Sequence, residues 1–420
     1  MKYGNRVVAL LSLLSVITYL DRVCIAVAGP RIQAELHIGP QAWGWVTGMF
    51  ALSYAFFEIP SGILGDRIGP RRVLTRIVLW WSVFTSLTGA VSNYIFLLIT
   101  RFCFGIGEAG AYPNAGSVIA RWIPPQQRAR AWGIVWMTSQ IGGAISPLLV
   151  VPIQMRFGWR ASFFTFGILG VIWSGIWYWW YRDSPVEKPG VTQAELDRLA
   201  EVADLKHQPL AWRVVLCSGN LWRIMAIGFL YVYTLYFFQS WFQTFLVKDR
   251  GFTEGDLLLS AVPYLVGACG NLLGGIASDW LVRLTGLTAG RRIVGVVGLG
   301  LSAVCMAATL LTHNNSLTLI FLSLVYGGMT FQQPSIFAVC SEIGGPLAGT
   351  ITGFFQTACQ AGAFVSSVVF GYVVKAYGTY QAPLVPMAVF LGISALLWLS
   401  IDSSKKLYSP DKLEPALINN

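Results

Sequence analysis

Tyr94-Ile-Phe-Leu-Leu-Ile-Thr-Arg101-Phe-Cys-Phe-Gly105-Ile-Gly107-Glu108-Ala-Gly-Ala-Tyr112-Pro113-Asn-Ala-Gly-Ser-Val-Ile-Ala120 is long and apolar enough to cross a bilayer, yet it holds one guanidinium and one carboxylate. At about 1.5 Å rise per residue, Arg101 and Glu108 fall on one helical face roughly 10 Å apart in depth. Ionised groups at that depth are costly unless they face a partner or a water-filled cavity, so they point to a transport pathway or proton relay. The alternative, an ion pair that only locks helices together, is weakened by a second such cluster, Tyr19-Leu-Asp21-Arg22, in the first apolar run.

Outward from this stretch the pattern repeats. The 420 residues are 55% apolar and only 11% charged, with a mean hydropathy of +0.61, against about 25% charged residues in soluble domains. Twelve apolar runs lie near 7–28, 43–65, 73–92, 94–120, 131–152, 160–181, 222–247, 257–280, 292–312, 316–340, 348–375 and 380–401. Each matches a hydrocarbon core of about 30 Å. The chain is therefore expected to be an all-α polytopic membrane protein of twelve transmembrane helices, with the lipid bilayer as its solvent. The first run carries Asp21 and Arg22 and is followed by no small-residue cleavage site, so it is expected to be a retained span.

Charge fixes the expected orientation. With the N-terminus inside, 21 of the 29 Lys and Arg residues fall in inner loops and termini, six outside and two within spans, as the positive-inside rule requires. Both termini are thus expected on the cytoplasmic side, and the absence of a long glycosylated loop between the first two runs favours a bacterial inner membrane. The net charge of +10 is topological and calls for no nucleic acid. The seven cysteines are scattered singly without metal or disulfide spacing and read as small packing residues.

The longest hydrophilic interval, 182–221, contains Pro185, Pro189, Pro209 and an amphipathic stretch opened by the capping-box pattern Thr192-Gln-Ala-Glu195. It divides the chain into a six-helix bundle over 1–181 and another over 222–404, with a cytoplasmic tail at 405–420. Gly62-Ile-Leu-Gly-Asp66-Arg67-Ile-Gly69-Pro-Arg71-Arg72, after the second run, is echoed after the eighth by Gly275-Ile-Ala-Ser-Asp279-Trp-Leu-Val-Arg283 and then Arg291-Arg292. Paired repeats of this kind imply a site between two halves. In the first copy Asp66, Arg67 and Arg71 can bond a neighbouring helix end across the inner mouth, which suggests a latch.

These motifs resemble the major facilitator superfamily. Within it, Tyr19-Leu-Asp21-Arg22 together with Arg101-x3-Gly-x-Gly-Glu108-Ala-x3-Pro113 resembles the anion:cation symporter family, which includes hexuronate, galactonate and glucarate transporters, sialin and the vesicular glutamate transporters. The resemblance implies uptake of a small carboxylate, a sugar acid first among candidates, commonly with protons. It implies that Arg22 clamps the substrate carboxylate, that Asp21 and Glu108 bind protons, and that Arg101 holds Glu108 until protonation releases it. Tyr19 and Tyr54 match family positions lining the cavity. Gln356 stands where galactonate-type members have asparagine.

The residues carry a coupling logic of their own. Guanidinium keeps its charge and offers a planar fork to carboxylate, so an arriving anion competes with Asp21 or Glu108 for an arginine, and the displaced acid is then more easily protonated. Glu58, followed by Ile-Pro60-Ser-Gly, reads as a gate element. Gln140 offers donor and acceptor to hydroxyls. Tyr233, Tyr236, Gln239, Trp241, Ser335, Gln356 and Gln360 are the candidates from the second half. A channel would need rings of like charge or carbonyl filters, which the sequence lacks. The three histidines, His37, His207 and His313, lie in loops away from the charged core, so an enzyme is not expected, nor any metal or cofactor besides the coupling ion, a proton. The competing readings are uptake or efflux of another carboxylate, an aromatic or dicarboxylic acid, since the sequence gives no vector, and a transporter-derived sensor signalling through the 182–221 loop, where no effector domain is recognisable. A monomer is expected.

Overall fold

The computed structural model describes residues 2–123, 125–190, 192, 218–253, 255–344 and 348–405, and among them every regular element is helical. The first seven helices are α1 (Lys2–Glu35), α2 (Pro40–Ile68), α3 (Pro70–Gly89), α4 (Tyr94–Glu108), α5 (Ala111–Trp122), α6 (Pro125–Phe157) and α7 (Trp159–Trp180). Seven more follow: α8 (Gly219–Ser240), α9 (Phe242–Lys248), α10 (Ala261–Thr285), α11 (Leu287–Leu311), α12 (Asn315–Gly344), α13 (Ala348–Tyr377) and α14 (Leu384–Trp398). Counting α4 with α5 and α8 with α9 as spans broken part-way gives twelve rods among the described residues, the number the apolar runs predict. Eight described segments are both long and apolar enough to cross a membrane by length and composition, one of them Tyr94–Ile119, which joins α4 and α5. The amphipathic stretch near Thr192 and the tail from 406 onward lie outside the described residues.

The joints follow from single residues. Gly69 alone connects α2 to α3 with φ at 89°, and Pro70 at the first helical position presets the turn. A side chain there would meet both left-handed strain and the Asp183 carboxyl carbon, 2.8 Å from a Cβ. Gly286, at φ 88°, makes the same joint between α10 and α11, so the two sequence echoes fold alike. The break between α4 and α5 has a different cause. Pro113 offers no N–H to the Ala109 carbonyl, and the ladder resumes when Asn114 donates both its backbone N, at 3.2 Å, and its Nδ2, at 2.7 Å, to the Gly110 carbonyl.

By contact the described residues form two compact units. The first takes in Met1–Lys206, Tyr236–Leu265 and Phe364–Tyr380. Within it α1 lies against α6, α2 against α4 and α3 against α7. The α1–α6 approach needs Gly142, whose Cβ would lie 2.7 Å from the Val16 carbonyl oxygen. The second unit takes in His207–Leu235, Val266–Ala363 and Gln381–Asn420, and α11 is its centre, packed on α12 and α14.

Candidate functional site

The first unit gathers the charged residues. From α1, Arg22 donates its Nε to Glu108 Oε1 at the end of α4, at 2.5 Å. The Glu108 side chain is fully buried and that of Arg22 is 10% exposed. The sequence reading had Arg101 holding Glu108, and the structure gives that place to Arg22. The reason is axial: seven residues separate Arg101 from Glu108 on one helix, roughly 10 Å of rise, whereas α1 brings Arg22 alongside.

Aromatic faces line both guanidiniums. Arg22 lies over Phe50, Tyr54 and Tyr19, with Cζ 5.2, 4.9 and 5.7 Å from the ring centroids. Arg101 lies over Phe104 at 4.4 Å and over the same Phe50 at 5.3 Å. One ring on α2 thus serves two cations, each contact a cation–π attraction that strengthens with desolvation. Arg101 is buried and has no ion-pair partner within 4 Å among the described residues, and its Nε, like Arg22 Nη2, Glu108 Oε2 and both Asp21 oxygens, has no hydrogen-bond partner. Buried polar groups are rarely left so. Four titratable or cationic groups of the first unit therefore keep unused hydrogen-bonding capacity.

Arg22 and Arg101 open onto one cavity, completed by Ile25, Thr47, Phe50, Tyr236, Gln239 and Ser240. Its volume is about 10 Å³, room for one water molecule at most. Tyr236 and Gln239, both sequence candidates, are therefore at the arginines, along with Ser240 and Thr47, which the sequence did not single out.

Tyr19 and Tyr54 are buried against Arg22, and Gln140 is buried on α6. Tyr112, quoted in the motif but given no role, belongs with them: its hydroxyl lies 3.1 Å from Ser139 Oγ and its ring stacks on Trp136 with centroids 4.7 Å apart. Its position four residues after Glu108 was the available signal. Phe50 had none beyond an apolar run. Of the remaining candidates, Trp241 stacks on Phe370 and donates to the Ser367 carbonyl at 3.1 Å, a packing role within the first unit. Tyr233, Ser335, Gln356 and Gln360 lie in the second unit, where Tyr233 meets Phe390 edge-on and Ser335 bonds Ser278 at 2.8 Å.

A family model described as Major Facilitator Superfamily matches residues 11–367. The chain belongs to the Major Facilitator Superfamily. It is 32% identical over 417 residues to the probable sulfoacetate transporter SauU of Cupriavidus necator, covering 98% of this chain and 96% of that one. It is 28% identical to the hexuronate transporter of Bacillus subtilis, with 93% of each chain covered. Among solved structures, a bacterial homolog to the human lysosomal transporter Spinster, inward-facing and occupied, superposes with a TM-score of 0.78 at 21% identity, over 98% of this chain and 99% of that one. The superfamily and these relatives are transporters and not enzymes, and the fold is a multi-pass helical membrane fold.

In the superfamily loop between α2 and α3, Arg71 bonds a neighbouring helix end, that of α7. Arg71 donates Nε and Nη2 to the Tyr178 carbonyl at 3.0 and 2.6 Å, and its backbone N to Asp183 Oδ1 at 2.9 Å. It fastens α3 to the end of α7 within the first unit. Arg67 is exposed, Glu58 is half-buried one turn beyond Tyr54, and the Asp66 side chain lies outside the described residues. In the second copy Arg291 joins three groups: Ser278 at 2.6 Å, Asp279 at 3.3 Å and Glu342 at 2.9 Å.

Proposed function

We propose that this protein carries a small organic anion, a sugar acid such as a hexuronate, aldonate or aldarate, across the bacterial inner membrane together with protons, by alternating access of six-helix halves at 1–181 and 222–404. The observation that carries the reading is the pair of guanidiniums that both lie over Phe50 and face one cavity, of which Glu108 neutralises only Arg22. Arg101 is then the cation open to an arriving carboxylate, and Arg22 becomes the second once Glu108 takes up a proton and lets go. Asp21, a buried carboxyl with both oxygens unengaged, is the other proton carrier. Tyr19, Tyr54, Tyr236 and Gln140 read the hydroxyls, with Gln356 contributing from the second half, while Glu58, Asp66, Arg67 and Arg71 govern the gates. Both termini face the cytoplasm, and the working unit is a monomer without a cofactor.

A second cargo is favoured by the same pair. Two arginines on one ring suit a compact dianion, and the 32%-identical relative is named for sulfoacetate, which carries a sulfonate and a carboxylate on a single methylene carbon. Guanidinium forks bind either group through charge-assisted bonds.

The test is uptake into liposomes holding the pure protein, with labelled glucuronate, galactonate and sulfoacetate and an imposed inside-alkaline pH gradient. Wild type accumulates its cargo uphill. Glu108→Gln, fixed in a neutral form, exchanges labelled for unlabelled cargo without accumulating it. Accumulation that follows a sodium gradient and ignores pH would sink the proton reading. Arg101→Gln and Arg22→Gln variants that each bind as tightly as wild type by calorimetry would sink the site.

A further inference from the structure

The C-terminal end of α7 is ringed by cations. Arg71 bonds the Tyr178 carbonyl and lies 4.4 Å from the Tyr178 ring centroid. Arg182 Nη1 donates to the Trp179 and Tyr181 carbonyls at 2.9 and 2.8 Å. Lys188 donates to the Trp180 carbonyl and sits 4.3 Å from that ring's centroid. Arg6, from the first turns of α1, lies over Tyr3, whose ring stacks on Trp180 and whose hydroxyl donates to the Pro189 carbonyl at 3.2 Å. Partial burial and the charges of Arg182, Arg6 and Arg71 pull the Lys188 ammonium below the usual lysine range, so Lys188 stands in the field of the other three.

Capping accounts for only part of this. Cations satisfy the orphan carbonyls of a helix end and its roughly half negative charge, and Asp183 and Glu187 add two carboxylates. Against four cations that leaves a surplus of between one and two positive charges. The site also stands at a defined depth. α7 is 22 residues long, about 33 Å, a bilayer's hydrocarbon thickness, so its end meets the headgroups. Its outward ridge, Ile168, Ile172, Ile176 and Trp179, is exposed, Trp179 by 76%. An aromatic rim beside basic residues is the usual dress of that boundary.

We infer that Arg6, Arg182 and Lys188, with Trp179 and Trp180, form a site for the phosphodiester headgroup of an anionic phospholipid whose acyl chains lie along the α7 ridge. The ridge is what favours a lipid over free phosphate, since a soluble anion has no use for it. Nothing in the transport reading depends on this site.

The full-length protein is delipidated in detergent, mixed with equal phosphatidylglycerol and phosphatidylcholine, and examined by native mass spectrometry. Wild type retains phosphatidylglycerol in preference. Arg6→Gln with Lys188→Gln, which leaves Arg71 and Arg182 on the α7 carbonyls and removes only the Lys188 cap, loses that preference by about thirtyfold, since each cation near an anionic surface is worth about fivefold. The control pair Arg223→Gln with Lys248→Gln, both exposed and distant in sequence, keeps it. Equal retention of the two lipids by wild type overturns the inference, as does an equal loss in the control pair or an unchanged preference in the test pair. Displacement of phosphatidylglycerol by millimolar inorganic phosphate overturns it in favour of a free-phosphate site. A thermal melt of each variant in the same detergent separates loss of the site from loss of the fold, and for a test pair that fails to melt like wild type, Lys188→Gln alone takes its place.

Discussion

Phe50 is the residue on which two cations converge, and its substitution separates charge from geometry. Phe50→Leu keeps most of the buried volume and removes the π face shared by Arg22 and Arg101. A desolvated cation–π contact is worth about 2 kcal/mol. Cargo affinity measured by calorimetry should therefore change by roughly tenfold or more, while Phe50→Tyr stays near wild type. Unchanged affinity in Phe50→Leu would show that the ring only fills space. Glu108→Ala is the harsher change. It leaves Arg22 buried beside no counter-charge, and breaking a buried pair from one side costs about 3–5 kcal/mol. Its thermal midpoint in detergent should fall well below that of Glu108→Gln, which keeps a hydrogen-bond acceptor for Arg22 Nε.

At the scale of elements, the site depends on how closely α1 can lie on α6. Gly142 permits it, since any Cβ would press on the Val16 backbone, three residues before Tyr19. Gly142→Leu should shift α1, part Arg22 from Glu108 and abolish binding, with helical content by circular dichroism unchanged. Retained binding would mean that α1 is positioned by other contacts. The α2–α3 joint makes a separate prediction. Gly69→Ala forces a side chain into positive φ and against Asp183, so it should lower stability by about 1–2 kcal/mol, measurable as a drop in the melting temperature. Ala at Gly133, where a Cβ meets nothing within 4 Å, serves as the control.

At the scale of the molecule, several ties join α1 and α2 to α8, α9 and α13 inside the first unit. Gln33 Nε2 donates to Thr244 Oγ1 at 3.0 Å, Trp43 Nε1 to the Ser240 carbonyl at 3.3 Å and Lys375 Nζ to Gln41 Oε1 at 2.9 Å. Alternating access requires such ties to part in each cycle. With the seven native cysteines replaced, Gln33→Cys and Thr244→Cys bridged by a short bis-thiol reagent should stop uptake, and cleaving the reagent should restore it. Full uptake in the bridged protein would show that these helices travel together.

The membrane class, the twelve rods and the charged residues inside them were legible in the sequence because hydropathy and helix length are local properties of the chain. Even the anchor motif around Arg101 and Glu108 announced itself by being too polar for its surroundings. The partners were not legible. Arg22 and Glu108 are 86 residues apart, and which of two arginines meets a carboxylate depends on the rotation and closeness of α1, which Gly142 sets. Phe50 looked like any apolar residue until the packing of α1, α2 and α4 put two cations against it. Arg71 turned to α7 because the end of that helix presents bare carbonyls at the right distance. Charge in the bilayer told where to look, and only tertiary packing, which decides what each charge faces, told what it is paired with.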